Sequence, residues 1–162
     1  MPIREATDQD WVGIWPIVEA VVEAGETYVW CPTPSSEAMR AIWLEPDPWH
    51  VVVAIADNGQ VVGTAKCGPN RPGRGSHVAT ASFMVDPARQ GEGIGRALAE
   101  HVLEWARAAG YHGMQFNAVV ETNAGALRLW KSLGFVSIGV VPEAFDHRTQ
   151  GLGGLAVMYR KL

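Results

Sequence analysis

The sequence predicts a single α/β domain, and three observations predict it. Apolar periods of two and of three to four follow one another in the order β-α-α-β-β-β-α-β-α-β-β, with no internal repeat and no second domain between them. The 162 residues are 48% hydrophobic, which is enough for one well-buried core. The stretch from Val85 to Leu98 joins an apolar strand to a helix through a proline turn and three glycines, Gly91, Gly93 and Gly95. Such a junction leaves backbone N–H groups uncovered at the positive end of a helix dipole, which suits a phosphate or pyrophosphate. The dinucleotide fingerprint fits Gly91 and Gly93 but then meets Arg96, and the Walker ending G-K-[S/T] is absent, so neither common nucleotide loop applies.

Each element has a local reason. Ile3 to Ala6 reads as a short first strand, and Thr7 or Asp8 can cap the helix that follows. Trp11, Ile14, Trp15, Val18, Val21 and Val22 place one buried face on that helix, and Pro16 within it predicts a kink or a division in two. Gly25 to Ser36 is a turn-rich aromatic linker into a second helix, about Ser36 to Leu44. His50 to Ala56 is a β-branched strand, Asp57-Asn58-Gly59 a turn, and Val61 to Cys67 its hairpin partner. Gly68 to Gly75 is a loop without apolar periodicity, in which Arg71 and Arg74 read first as solvated charges.

His77 to Val85 feeds the glycine junction and reads as a central strand. Gly93 to Ala109 is a helix with Ile94, Leu98, Val102, Trp105 and Ala109 inward, ended by Gly110. Gly113 to Val120 is a second core strand. Asn123 caps the next helix, whose Ala126, Leu129, Trp130 and Leu133 share a face before Gly134 stops it. Phe135 to Val141 is a strand, Pro142 to Gly154 a loop, and Leu155 to Arg160 the closing strand.

Composition narrows the function classes. A formal net charge of −4 leaves no broad basic footprint, so nucleic-acid binding is not expected. The polar start and the absence of an apolar run of about 18 residues predict no signal peptide, no membrane partner and a soluble, cytoplasmic protein. Cys31 and Cys67 are too few for a disulfide framework, and the five histidines show no paired spacing, so no metal is expected.

Two motifs in order carry a family resemblance. Gln90-x-x-Gly93-x-Gly95 after a strand ending in Val85 resembles the coenzyme-A loop of the GCN5-related N-acetyltransferases. Asn123-x-x-Ala126-x-x-Leu129-Trp130-Lys131-Ser132-Leu133-Gly134-Phe135 matches that family's Asn-x-x-Ala-x-x-Leu-(Tyr)-x-x-x-Gly-Phe segment. The resemblance implies a mixed, mostly antiparallel sheet with a splayed central strand pair and helices on both faces. It implies acetyl-CoA as co-substrate, without a metal. The pantetheine arm would pair with the main chain of Phe83, Met84 and Val85. Gln90, Gly91, Gly93, Ile94, Gly95 and Arg96 would hold the pyrophosphate, and Asn123 would be a further coenzyme contact while also capping its helix.

A thioester is already activated, so the implied chemistry is direct transfer to an amine held beside it, with a backbone N–H near Val85 as donor to the thioester oxygen and a base or water to take the amine's proton. The strand before the glycine junction carries no carboxylate, only Thr80, Ser82 and His77. Glu121 is one candidate base, His77 and the Asp146-His147 pair are others, and water held by backbone groups is the remaining route. Trp130 stands where the family commonly has a tyrosine that protonates the departing thiolate. An indole N–H donates but does not release its proton, so Trp130 is a candidate for packing near the thiol, with Tyr159 or Tyr28 as alternative acids.

In the family the segment between the first two helices walls the acceptor site, which makes Tyr28 and Trp30 candidates for substrate contact. Asn117, a polar amide inside an apolar strand, needs a partner if buried. The segment Phe116 to Asn123 also resembles acetyltransferases of proline analogues such as azetidine-2-carboxylate, in which an Asn six residues before the coenzyme-A Asn binds the acceptor. Asn117 meets that spacing, with Thr80 where a partner Asn would stand. The expected acceptor is the amine of a small molecule, amino acids and proline-like compounds included. A non-catalytic acyl-CoA-binding sensor or partner module and a protein N-terminal or lysine acetyltransferase are the alternatives. The sequence leaves the oligomeric state open, a homodimer included.

Overall fold

The structure is a computed structural model that describes residues 1–33 and 35–162. Its elements follow the predicted order: β1 (Ile3–Glu5), α1 (Trp11–Ala24), α2 (Ser36–Trp43), β2 (His50–Ile55), β3 (Val61–Pro69), β4 (Val78–Val85), α3 (Ile94–Ala108), β5 (Gly113–Val120), α4 (Ala124–Ser132), β6 (Val136–His147) and β7 (Gly151–Lys161). Among the described residues the strands form one seven-stranded sheet in the order β1-β2-β3-β4-β5-β7-β6. The sheet is antiparallel except at β4 and β5, so it is the mixed α/β sheet expected. No helix among the described residues is long and apolar enough to cross a membrane.

The parallel pair is joined only at its start. Val78 pairs with Gly113 and Ala79 with Met114, and beyond them β4 and β5 share no register. On the far side of β5 the register with β7 shifts between Phe116 and Val119, a bulge that sets Asn117 and Ala118 out of the ladder. The two central strands therefore diverge, and a cleft opens between them.

Helices cover both faces. One core packs α3 and α4 on the sheet through Ile94, Leu98, Val102, Phe116, Trp130 and Phe135. The other packs α1 and α2 through Ile14, Ile17, Val18, Val22, Trp43 and Met84. Alternation along β4 sends Met84 to the second core while Phe83 and Val85 lie against the first.

Two sequence expectations are corrected. Pro16 neither breaks nor divides α1, which runs unbroken from Trp11 to Ala24. Its ring faces solvent, and the carbonyl deprived of its partner belongs to Val12, which is 83% exposed, so water can satisfy it. The stretch Pro142 to Gly154 is not a loop. β6 continues to His147 and β7 begins at Gly151, making a long hairpin in which Phe145 pairs with Gly153 and His147 with Gly151. Pro142 disguises it, yet β6 is an edge strand where a missing N–H costs little, and the register shift between Val141 and Phe145 absorbs the irregularity, with Glu143 at φ 51. Other boundaries move by one or two residues, as with His77, which lies just before β4.

Candidate active site

The splay produces a cavity of about 370 Å³ that passes between β4 and β5. Tyr28 and Trp30 line it from the α1–α2 connection, Thr80 to Val85 from β4, and Phe116 to Val120 from β5. Gln90, Asn123 and Trp130 line it on the α3–α4 side. Sequence positions from 28 to 130 thus meet at one cleft because two strands part. Among the described lining residues none is Asp, Glu, Lys, Arg or His.

At the Gln90 end lies the glycine junction. Gly91 and Gly93 have φ of +86° and +80°, a region side chains rarely adopt, and a Cβ on either would meet nothing within 4 Å. These glycines leave open space over the backbone. Gly93 caps α3 without a side-chain hydrogen bond, whereas Ser35 Oγ accepts from Ala38 N–H on α2 and Asn123 Oδ1 from Ala126 N–H on α4. The first-turn N–H groups of α3 are thus left to an external acceptor. Gly95 is closer packed: a Cβ there would stand 3.7 Å from Val85 Cγ2. Ile94 is buried, so only its main chain is available. The Arg96 guanidinium donates to Ser132 Oγ at 2.7 Å and ties α3 to α4. These residues fit the pyrophosphate of a nucleotide-bearing coenzyme through backbone donors.

The main chain of β4 divides by strand alternation. Asp86 N–H donates to Val62 O at 3.0 Å, so even-numbered residues turn their polar groups to β3. Odd-numbered ones turn to the splay. The three residues expected to pair with an extended arm therefore reduce to Phe83 and Val85, because Met84 gives its main chain to β3 and its side chain to the core. Phe83 already has a partner. The Tyr28 hydroxyl donates to Phe83 O at 2.9 Å and accepts from Phe83 N–H at 3.0 Å. Burial pushes the Tyr28 phenol above its ordinary pKa, against smaller opposing effects of the Phe83 backbone and of Ser82.

Beyond Tyr28 the cleft is neutral and polar. Thr80 and Ser82 stand on one face of β4. Asn117 is exposed on the β5 bulge and not buried in an apolar strand, so it carries no desolvation cost. Its Oδ1 accepts from Gln115 Nε2 at 2.9 Å and its Nδ2 donates to Asn70 Oδ1 at 2.6 Å. Sequence reasoning missed Asn70, which lies in a stretch with no periodicity; its N–H pairs with Val78 O, and that turn aims it across β4.

The candidate bases lie elsewhere. Glu121 does not line the cleft. It follows the last residue of β5, its N–H bonds Gly154 O at 3.0 Å, and its carboxylate accepts from Gly154 N–H at 3.1 Å, extending the ladder with β7. His77 stands at the closed end of the strand pair against His112, with ring centroids 5.7 Å apart. His147 is buried in the β6–β7 hairpin, where Nδ1 accepts from Thr149 N–H at 3.2 Å. Trp130 does line the cleft, but is 8% exposed and packs at 4.6 Å from Phe116 and 5.0 Å from Phe83 between ring centroids.

Comparison with known proteins agrees with this geometry. Residues 14–135 match the profile of the acetyltransferase (GNAT) family. N-acetyltransferase aca1 of Schizosaccharomyces pombe is 35% identical over 61% of the chain, which spans 47% of that relative's length. The L-methionine sulfoximine/L-methionine sulfone acetyltransferase of Pseudomonas aeruginosa is 32% identical, over 87% of this chain and 83% of its own. Among solved structures, a GCN5-related N-acetyltransferase from Kribbella flavida superposes with a TM-score of 0.96 at 49% identity, covering 99% of this chain and 97% of the other. The yncA protein of Salmonella typhimurium, solved with its cofactor acetyl-CoA, superposes at 0.83 with 28% identity, covering 100% and 94%.

Proposed function

The chain belongs to the acetyltransferase (GNAT) family, and on that premise we propose that it moves an acetyl group from acetyl-CoA directly to the amine of a small amino-acid-like molecule. The observation that carries this reading is the cleft itself, which runs from an uncapped glycine-rich helix start to a neutral row of hydroxyl and amide side chains. Acetyl-CoA supplies an activated thioester. The protein's part is to hold it beside the amine and keep bulk water away.

The N–H groups from Gln90 to Arg96 bind the pyrophosphate, with Gly91 and Gly93 keeping the approach open. The main chains of Phe83 and Val85 pair with the arm, and Asn123 borders it opposite. Trp130 packs beside the thioester end. Tyr28, Thr80 and Asn117 contact the acceptor, and Asn117 meets a carboxylate or amide as a neutral donor. With no acidic or imidazole side chain among the described lining residues, the amine's proton leaves through water. A small polar acceptor is also suggested by the Pseudomonas relative, whose substrates are amino-acid derivatives.

The test is release of free thiol from acetyl-CoA against a panel of amino acids, methionine sulfone and proline analogues, with product mass recorded. Thiol release dependent on one of these amines supports the reading. Saturable acetyl-CoA binding with no release for any of them would overturn it and leave an acyl-CoA-binding module.

A further inference from the structure

Both hydrogen bonds of the Tyr28 hydroxyl go to one residue of β4, and that residue is one whose polar main chain faces the splay. Elsewhere a strand would satisfy Phe83, but β5 has left the ladder after Met114. The phenol therefore substitutes for a missing strand. It is also the one titratable side chain among the described residues that line the cleft.

Tyr28 is held from the core outward. Its ring lies 4.8 Å from that of Trp30, which stands edge-on to Trp43 at 6.1 Å. Trp43 is fully buried and donates its Nε1–H to Thr64 Oγ1 at 3.0 Å, and Thr64 donates in turn to Val52 O at 2.9 Å. Three packed rings on a buried anchor restrict the phenol to small shifts within the splay and to rotation of its O–H bond. A donor held in place in advance stabilises charge that develops on an oxygen.

We propose that Tyr28 is a catalytic residue whose hydroxyl, together with the Phe83 N–H, forms a two-donor site for the thioester oxygen; the assignment rests on the acetyl-transfer reading above. A carbonyl oxygen entering the splay takes the Phe83 N–H, which donates to Tyr28 in this structure, as the phenol shifts aside. The phenol O–H then turns from Phe83 O to the same oxygen. As the amine forms its bond to the acyl carbon, the carbonyl π pair moves onto that oxygen between the two donors. When the pair returns, the carbon–sulfur bond breaks and sulfur leaves with its electrons. The amine's proton goes to water, sulfur regains one from water, and Tyr28 keeps its own throughout. Burial of the phenol, which favours the neutral form, is consistent with a donor that never ionises.

The experiment compares the parent protein with Tyr28→Phe, which keeps the ring on Trp30. Loss of one such donor should lower kcat by about 100- to 1,000-fold. The acetyl-CoA dissociation constant, measured by calorimetry without any acceptor, should stay within about threefold or tighten, because the Phe83 N–H is released to the ligand. Tyr28→Leu, checked for folding by thermal melt, should lose kcat to a similar degree, since the hydroxyl is what acts. A kcat within about threefold of the parent's would overturn the assignment, as would a loss of acetyl-CoA affinity with kcat unchanged, which marks uniform binding. A limb of the parent's pH–rate profile that vanishes in Tyr28→Phe would overturn it too, by making Tyr28 a proton donor. If the parent binds acetyl-CoA but transfers to no amine, the acetyltransferase reading itself fails, and this assignment with it.

Discussion

Asn117 on β5 donates to Asn70 Oδ1 at 2.6 Å, although Asn70 follows the end of β3 and β4 runs between them. The bond crosses the face of β4 next to the point where the central strands part. With Gln115 donating to Asn117, it forms a row of three amides, of which Asn117 lines the cleft.

From this row follows the behaviour of Asn70. Asn70→Ala and Asn117→Ala should each raise KM for a carboxylate-bearing acceptor about tenfold with little change in kcat, the loss of one hydrogen bond. The double variant should lose less than the product, because each single change already breaks the pair. Steady-state kinetics on all four proteins measure the coupling. An unchanged KM in Asn70→Ala removes the amide row from the acceptor site.

At the coenzyme end, Gly93 sits at φ +80° with open space where a Cβ would project. Gly93→Val should weaken acetyl-CoA binding by about tenfold or more, since a left-handed residue with a branched side chain costs roughly 1–2 kcal/mol or shifts the loop. Gly95→Val should do likewise by crowding Val85 and Leu129. Calorimetric titration decides it, and unchanged dissociation constants for both variants would detach this loop from the coenzyme.

Trp130 is a core residue and a cleft residue at once. Trp130→Ala should reduce unfolding free energy by about 3–5 kcal/mol. Trp130→Tyr and Trp130→Phe should melt close to the parent. If their turnover is also unchanged, the side chain takes no chemical part; a higher rate for Tyr alone would show that a phenolic proton can be used there.

Glu121→Gln tests the carboxylate that braces β7. Its Gly154 contact predicts turnover within about threefold of the parent, with a stability loss near 1 kcal/mol. A drop of about 100-fold together with loss of the acid limb of the pH profile would instead make Glu121 the base.

Acid stability should depend on Asp10. Its carboxylate accepts from both Arg4 guanidinium nitrogens at 2.7 and 2.8 Å and from the Thr7 N–H at 2.7 Å. The Arg4 bonds, ahead of the Thr7 ones, hold it well below the usual carboxylate range. A depressed folded pKa adds stability that is complete above the unfolded value near 4 and is lost as pH falls through the folded one. Asp10→Asn should therefore be destabilised by up to about 1 kcal/mol at pH 7, the worth of an ion pair with a half-exposed arginine, with the gap closing in strongly acid solution. Denaturant melts across pH measure this, and a gap independent of pH would contradict it.

Much of the fold was legible because its signals are local. Gly134 and Gly110 stop helices, Asn58-Gly59 turns a hairpin, and the buried faces of α3 and α4 follow the helical period, except that Ala109, expected inward, is exposed just past the end of α3. The β6–β7 hairpin was not legible. Pro142 and the glycines from 151 to 154 read as loop, and only pairing with a neighbouring strand makes them strand. Glu121 was nearest the cleft in sequence yet points at Gly154, since side-chain direction at a strand end depends on what the next strand offers.

By itself the sequence determined the α/β order, the glycine junction and the Asn123-to-Phe135 segment, because spacing along one chain specifies a helix start, a cap and a packed face. Only the tertiary structure decided what the acceptor end is made of. Tyr28, Asn70, Phe83 and Asn117 lie far apart in sequence, and they meet because β4 and β5 separate after two residue pairs. That separation sets which backbone groups are left open and which side chains can reach them. No short-range pattern encodes it.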